Sequence, residues 1–314
     1  MTTVAIYHKS IPPSNKNPEK PQIFINFSLG VYAAGDTPIN VTEMAWRDSD
    51  VGIIQGWVHT GSKPAGHLAL RNDVIQKQIA NGKYVVAVDS NLFLYKNATN
   101  PHNYLRYSFN GIFPSTGIYC DTEIDPTRWQ RIRSNLNLSL RDYRKSGNQI
   151  LLCLQRNGGW SMGGLDVQDW AIDTIQKIRQ HSDRPIIIRG HPGDRNTKTY
   201  LDPKNPACKI KGFKDIFFSD STVRTLEQDL INTWAVVNYN SSPVVGAAIE
   251  GYPIFVSDPI KSQCAEIANT DFSQIENPIL PDRQRWVERI SMFHWNFAEL
   301  RSGECWAHMR KFIK

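Results

Sequence analysis

The stretch Val236-Val237-Asn238-Tyr239-Asn240-Ser241-Ser242-Pro243-Val244-Val245-Gly246-Ala247-Ala248-Ile249-Glu250-Gly251 decides the reading of the fold. Apolar, β-branched residues run into a short polar turn. Ser followed by Pro then opens a helix, because proline is tolerated in a first turn whose N–H groups lack helical partners anyway. Gly246, Ala247 and Ala248 are small enough to let that helix lie close to a sheet. The free N–H groups at its start favour an anion, and the hydroxyls of Ser241 and Ser242 stand beside them, so the loop is a candidate phosphate site. A plain capped helix accounts for the same residues.

Outward from this stretch, the second half of the chain reads as alternating strands and helices. The strands are Ile150–Leu154, Pro185–Arg189, Ile216–Phe218, Trp234–Asn238 and Pro253–Val256; the helices are Val167–Gln180, Val223–Leu230 and Pro243–Glu250. That is a doubly wound α/β unit, whose ligand site belongs at the carboxyl ends of its strands. The first half gives strands Val4–Tyr7, Gln22–Phe27, Val51–Trp57 and Tyr84–Val88. Between the halves, Thr127–Lys145 is polar and helix-compatible, and the boundary is expected near Gly147. The expected organisation is 1–146, 147–280, and a C-terminal helical tail, 281–314, whose Trp286, Phe293, Trp295, Phe297 and Trp306 pack back onto the body as core.

Two more loops follow strands in the second half. Arg189-Gly190-His191-Pro192-Gly193-Asp194-Arg195 presents a histidine among arginines, a combination suited to a diphosphate, although a histidine after a strand is also a common structural residue. Gln155-Arg156-Asn157-Gly158-Gly159-Trp160-Ser161-Met162-Gly163-Gly164 is glycine-rich and allows close backbone approach to a ligand. No GK[ST] follows it and no GxGxxG occurs, which argues against a Walker NTPase and a dinucleotide-binding oxidoreductase. In the first half, Tyr84–Val88 ends in Asp89, where an α/β domain aims a carboxylate at a ligand; a turn or cap role is the alternative. Asp48-Ser49-Asp50 precedes its strand and reads as a turn, and His59 and His67 have no standard ligand spacing, so no metal site is expected.

Composition bounds the partners. The 314 residues are 40% hydrophobic and 21% charged, which excludes a disordered or fibrous chain and suggests two domains. No apolar run approaches the roughly 18 residues of a bilayer span, and the N-terminus lacks a basic stretch followed by an apolar one, so the expected location is the cytoplasm. Five cysteines stand singly, without a CxxC, and are expected as buried apolar residues. Lys plus Arg exceed Asp plus Glu by 36 to 30, a net charge of +6 that favours a polyanionic partner without demanding one.

Taken in order, Asp89-Ser90-Asn91-Leu92-Phe93-Leu94, Gly117-Ile118-Tyr119-Cys120-Asp121, His191-Pro192 and Ser241-Ser242 with Gly251-Tyr252-Pro253-Ile254 resemble the capsule-synthesis and Kdo-transferase-like glycosyltransferases, which include bacterial polysialyltransferases. The resemblance spans about residues 84–256. It departs at the acidic motif, where Asp89-Ser90-Asn91 retains one acid. It implies a GT-B fold of two facing Rossmann-like domains, the acceptor in the first and the nucleotide-sugar in the second. It also implies an inverting, metal-independent transfer without a cofactor. Asp89 would be the base, and His191, Pro192, Ser241, Ser242, Arg189, Arg156, Asn157 and Gly158 would hold the donor, with Glu250 on its ribose. A UDP-sugar is the favoured donor.

For the acceptor, Arg128, Arg131 and Arg133 with Trp129 suit contacts to DNA phosphates. The chain thereby resembles a phage sugar transferase acting on 5-hydroxymethylcytosine in double-stranded DNA, of the arabinosyltransferase kind, with the target base flipped out. A capsule or lipopolysaccharide transferase using a CMP-sugar at a membrane, and a non-catalytic DNA- or glycan-binding relative, stand as alternatives.

Overall fold

The computed structural model describes the chain except for residues 13–19, 59–64, 94–99, 101 and 195. From the N-terminus the elements are β1 (Thr3–Tyr7), α1 (Lys20–Ala33), β2 (Thr37–Val41), β3 (Val51–Gln55), α2 (His67–Ala80), β4 (Tyr84–Asp89), β5 (Leu105–Phe109) and α3 (Pro126–Leu136). Then follow β6 (Gln149–Cys153), α4 (Val167–Arg179), β7 (Ile186–Arg189), α5 (Thr197–Tyr200), β8 (Ile216–Ser219), α6 (Leu226–Leu230), β9 (Thr233–Asn238), α7 (Pro243–Ile249) and β10 (Ile254–Val256). The chain closes with α8 (Gln284–Ser291), β11 (His294–Trp295), α9 (Phe297–Arg301) and α10 (Glu304–Met309).

Two compact units result: Met1–Asn91, Thr99–Leu136 and Glu288–Lys314 form the first, and Leu92–Ala98 with Asn137–Val287 the second. The division falls after Leu136 rather than near Gly147, and the tail from Glu288 belongs to the first unit. Asn137, at φ +53°, ends α3 in the left-handed conformation that asparagine tolerates, so the helix stops well short of Lys145.

The first unit is built on a six-stranded sheet in the order β11-β5-β4-β3-β1-β2, parallel from β4 through β2 and antiparallel at β5 and β11. Alternate residues of β1 fill opposite faces: Val4 and Ile6 join one buried cluster with Phe24, Phe27 and Trp306, whereas Ala5 and Tyr7 join another with Val74 and Ile75. Strands buried on both faces read as continuous apolar runs, which is why β1, β3 and β4 stand out in the sequence. Gln22–Phe27, expected as a strand, lies in α1. Its buried positions Ile23, Phe24, Phe27 and Val31 recur at helical spacing, while Ile25 and Leu29 are exposed. Tertiary packing thus overrides the strand preference of a β-branched, aromatic segment.

The C-terminal segment completes this core. Trp295, Leu300, Cys305, Trp306 and Met309 are buried in it, and the Trp306 indole N–H donates to Asp36 at 2.8 Å. The anchor is Arg128 on α3, only 3% exposed. It donates to Glu299 at 3.1 Å and to the His294 carbonyl, and its guanidinium lies 3.5 Å over the Trp295 ring. Arg131 bridges Glu299 and Glu304 at 2.7 and 2.9 Å. Buried Arg128 is therefore committed to the protein's own carboxylate rather than offered to DNA, whereas Arg131, paired with Glu299 and Glu304, stays 43% exposed. Arg133 is exposed.

His294 is fully buried and donates Nδ1–H to the Ile290 carbonyl at 2.7 Å. Burial, aided by the nearby charges of Arg106 and Arg128, pushes its pKa down to about 3. The unfolded chain binds a proton there below about pH 6.5 and the folded chain does not, so this contribution is complete above pH 6.5 and is lost as pH falls towards 3. At about 1.4 kcal/mol per pH unit, the wild type is expected to lose about 2 kcal/mol between pH 6.5 and 5 through this residue. Urea unfolding of wild type and His294→Gln at both pH values measures it: the variant's midpoint should fall less.

The second unit carries a five-stranded, wholly parallel sheet, order β10-β9-β6-β7-β8. From β6 the chain winds out through β7 and β8, then crosses to the other side of β6 for β9 and β10. The carboxyl ends of β6 and β9 thus flank the point where the winding reverses, which opens a crevice for a ligand.

Candidate functional site

Three loops meet at that reversal point in the second unit, after β6, β7 and β9, and specific bonds tie them together. Asn240, just past β9, donates its backbone N–H to Gln155 Oε1 at 2.8 Å and its amide to the Ser161 carbonyl at 3.1 Å. Gln155 in turn donates to Ser161 Oγ at 2.9 Å. The loop after β7 joins through Asp194, which accepts from the Asn157 backbone N–H at 2.8 Å and from the Tyr200 hydroxyl at 2.7 Å. Asn157 Oδ1 accepts from Gly158 and Val167 N–H, locking the glycine-rich loop to the start of α4, whose first turn is capped by Asp166. Gly158, at φ +67°, makes the turn that allows this. Asn157 and Gly158 therefore shape the loop.

His191 is half-buried on this scaffold. Its Nδ1 accepts the Gly193 backbone N–H at 3.0 Å. A ring nitrogen that accepts from a backbone N–H carries no proton, so the neutral imidazole bears its hydrogen on Nε2 and presents a donor there. Burial holds its pKa below the usual histidine value, Arg156 adds to the lowering, and Asp194 opposes it. Arg156 is exposed, one loop away, with its cation close enough to act on the imidazole. Pro192 is exposed in the turn after His191; Arg195 lies outside the described residues.

Ser241 is held by Asn238, whose amide donates to its carbonyl at 2.8 Å and its hydroxyl at 3.0 Å. Ser242 stands at the cap of α7 in helical conformation, and its side chain makes no capping bond, contrary to the expected N-cap. Both serines sit beside Asn240, in the loop tied to Gln155.

Two expected donor residues are placed otherwise. Arg189 donates to Asp229, which is 2% exposed and also accepts from Ser219 Oγ at 2.6 Å and Arg224 at 2.7 Å. Its guanidinium is consumed by a structural cluster rather than offered to a phosphate. Glu250 caps the far end of α7, about 12 Å along the axis from Ser242 at 1.5 Å per residue, beside Arg144 and Tyr252. It does not join the loops, because α7 runs back from the carboxyl to the amino ends of the strands.

Sequence reasoning passed over Asn240 as a polar joint and missed Asp258 and Lys261. Asn240 donates to Asp258 at 3.1 Å, and Lys261 reaches the Ser161 carbonyl at 3.4 Å. Their signal is position: each follows the end of a parallel strand.

In the first unit, Asp89 ends β4 as expected. Its carboxylate accepts from Arg106 and, at 2.8 Å, from the Ser90 N–H. A carboxylate has about four lone-pair positions, so two such bonds leave room for an acceptor hydroxyl. Asp50 accepts from the Thr3 backbone N–H at 2.7 Å and Asp48 pairs with Lys83 at 2.5 Å, so both carboxylates are tied to distant parts of the first unit rather than to a local turn. His67 opens α2, and His59 lies outside the described residues.

The chain matches no protein-family model and no curated protein. Among solved structures it is similar to a Thermosulfurimonas dismutans KpsC described as a β-Kdo 2,4-transferase. That match has a TM-score of 0.52 at 10% identity and covers 96% of this chain and 98% of that one. It is also similar to a β-Kdo 2,7-transferase KpsC of the same organism, at TM-score 0.49, 13% identity and coverage of 96% and 98%. The Staphylococcus aureus MnaA–UDP structure gives 0.35, 11%, 99% and 95%. The protein thus has an α/β fold of the GT-B type, with two Rossmann-like units and a C-terminal helical tail packed into the first.

Proposed function

We propose that the chain is a glycosyltransferase that binds a nucleotide-sugar, a UDP-sugar in the first instance, at the reversal point of the second unit. The observation that carries this reading is the His191 imidazole, neutral and fixed in its Nε2–H form by the Gly193 N–H, beside the Arg156 cation and in a loop joined to Asn157. A preset N–H donor with a neighbouring guanidinium suits the charge that develops on a departing phosphate. With Arg189 occupied, that charge falls to His191 and Arg156, with the Ser241 and Ser242 hydroxyls on the phosphate.

In the transfer, Asp89 takes the proton of the acceptor hydroxyl as its oxygen attacks the anomeric carbon. The bond from that carbon to the phosphate oxygen breaks, and the nucleotide leaves with the electron pair. One displacement inverts the centre. Fixed N–H and guanidinium donors supply what a metal cation would otherwise give the leaving group.

A duplex acceptor loses the support of Arg128, which is buried against Glu299. Hydroxymethylcytosine DNA therefore enters the test beside glycans. The experiment incubates the full chain with UDP-, CMP- and GDP-sugars and each acceptor and reads product by mass spectrometry. His191→Ala should lower turnover about 10²- to 10³-fold, as loss of one such donor does. His191→Gln, whose amide N–H approximates Nε2, should recover part of it. No product from any donor, or undiminished turnover in His191→Ala, overturns the reading; donor binding without product points to the non-catalytic alternative.

A further inference from the structure

The first unit has its own reversal point, between β1 and β3: β2 lies on one side of β1, and the chain then crosses to the other side for β3 and β4. Arg71, on the second turn of α2, sits in this crevice. Its Nε donates to the Ser10 carbonyl, just past β1, at 2.8 Å, and its Nη2 to Gln55 Oε1, at the end of β3, at 3.1 Å. Gly56 leaves the room it needs: a Cβ there would stand 3.0 Å from Arg71 Nη1.

The charge around this guanidinium does not balance. Arg71 and Arg106 are each 7% exposed, and the Asp89 carboxylate, whose charge acts on both, is ion-paired with Arg106. Among the described residues Arg71 bonds only neutral oxygens, and the buried Arg106 Nε has no partner. A nearly buried cation that shares its nearest described carboxylate with a second arginine is costly, and Arg71 shows the strain, its pKa pushed down to about 10 by burial against the opposing charge of Asp89.

We propose that this crevice binds an oxyanion of the substrate, a carboxylate or a phosphate, through the open edge of Arg71. The guanidinium fork matches either group, and its other edge is already fixed by Ser10 and Gln55, so little rotamer freedom is lost on binding. That the oxyanion belongs to the sugar acceptor rests on the transferase reading; the anion site itself does not.

The test titrates the full chain with glucuronate, glucose 1-phosphate and, as the neutral control, glucose, following hydrogen exchange at the amides of Ser10, Ile11 and Gly56. Glucuronate or glucose 1-phosphate should protect these amides in the wild type and in the exposed-site control Lys311→Gln. Whichever of the two binds names the source of the oxyanion. Arg71→Gln should weaken that binding about 10- to 100-fold, the range for bonds to a charged group. Arg71→Lys, which keeps the charge and loses the fork, should fall between, and it serves alone if Arg71→Gln does not fold. Equal protection in wild type and variants, or none from either anion, overturns the site. A parallel UDP-sugar titration separates the two claims: anion binding through Arg71 without nucleotide-sugar binding sinks the transferase reading and leaves this site standing, and the reverse result does the opposite.

Discussion

Arg128→Ala should lower the stability of the first unit by about 3–5 kcal/mol, the cost of removing one partner of a buried, hydrogen-bonded ion pair. Arg128 and Glu299 are 3% and 5% exposed, and Glu299 also accepts from the Asn296 N–H at 2.9 Å to close the capping box of α9. Removing the guanidinium leaves Glu299 with Arg131 alone on its charge. It also strips the cation from the Trp295 ring and a donor from the His294 carbonyl. Every one of these partners lies in the C-terminal segment, so the loss is concentrated where that segment closes the core. In calorimetry the unit's Tm should drop by on the order of 10 °C. Had Arg128 been a phosphate contact, the same variant would keep its Tm and lose affinity for duplex DNA with a reduced salt slope. Measuring both separates the two roles.

Asp89→Asn should lower turnover by about 10²- to 10⁴-fold, the usual contribution of a general base, and leave nucleotide-sugar binding unchanged. The substitution is chosen with Arg106 in mind. An alanine would strand a guanidinium that is 7% exposed, whereas the amide oxygen of asparagine still accepts from it. The folded state should therefore survive while the proton acceptor is gone. A variant that unfolds with turnover intact in its folded fraction would make Asp89 the counter-ion of Arg106 and nothing more. A variant that folds, binds donor and does not turn over assigns the base. In rate against pH, the limb governed by His191, whose donor form is the neutral one, lies on the acid side, where protonation would break the Gly193 bond, and His191→Gln should remove that limb.

The second unit was the more legible half. Its strands are apolar runs bounded by Gly, Pro and Asn, and β6 to β10 lie within two residues of where those runs are read. The loops at their carboxyl ends follow from the winding, so His191, Ser241 and Arg156 could be placed without coordinates. Partnership could not. Arg189 and Arg156 look alike in sequence, yet Asp229 takes the first and leaves the second exposed. Arg128 looks like a nucleic-acid contact until Glu299, 171 residues away, is beside it. Charge is local information and the counter-ion is not. The same holds for α1, whose buried spacing shows only when the sheet beneath it is known, and for Arg71, which nothing in its flanking sequence marks.

The central claim is that the second unit's reversal point holds a nucleotide-sugar. It is tested most directly by amide hydrogen exchange of the full chain with and without a saturating UDP-sugar, and with CMP- and GDP-sugars if that one fails. Binding there should slow exchange at residues 155–161, 191–194 and 240–242 together, since Gln155, Asp194 and Asn240 join the three loops into one network. Unchanged exchange in all three loops with every donor, or protection confined to another part of the chain, would contradict it.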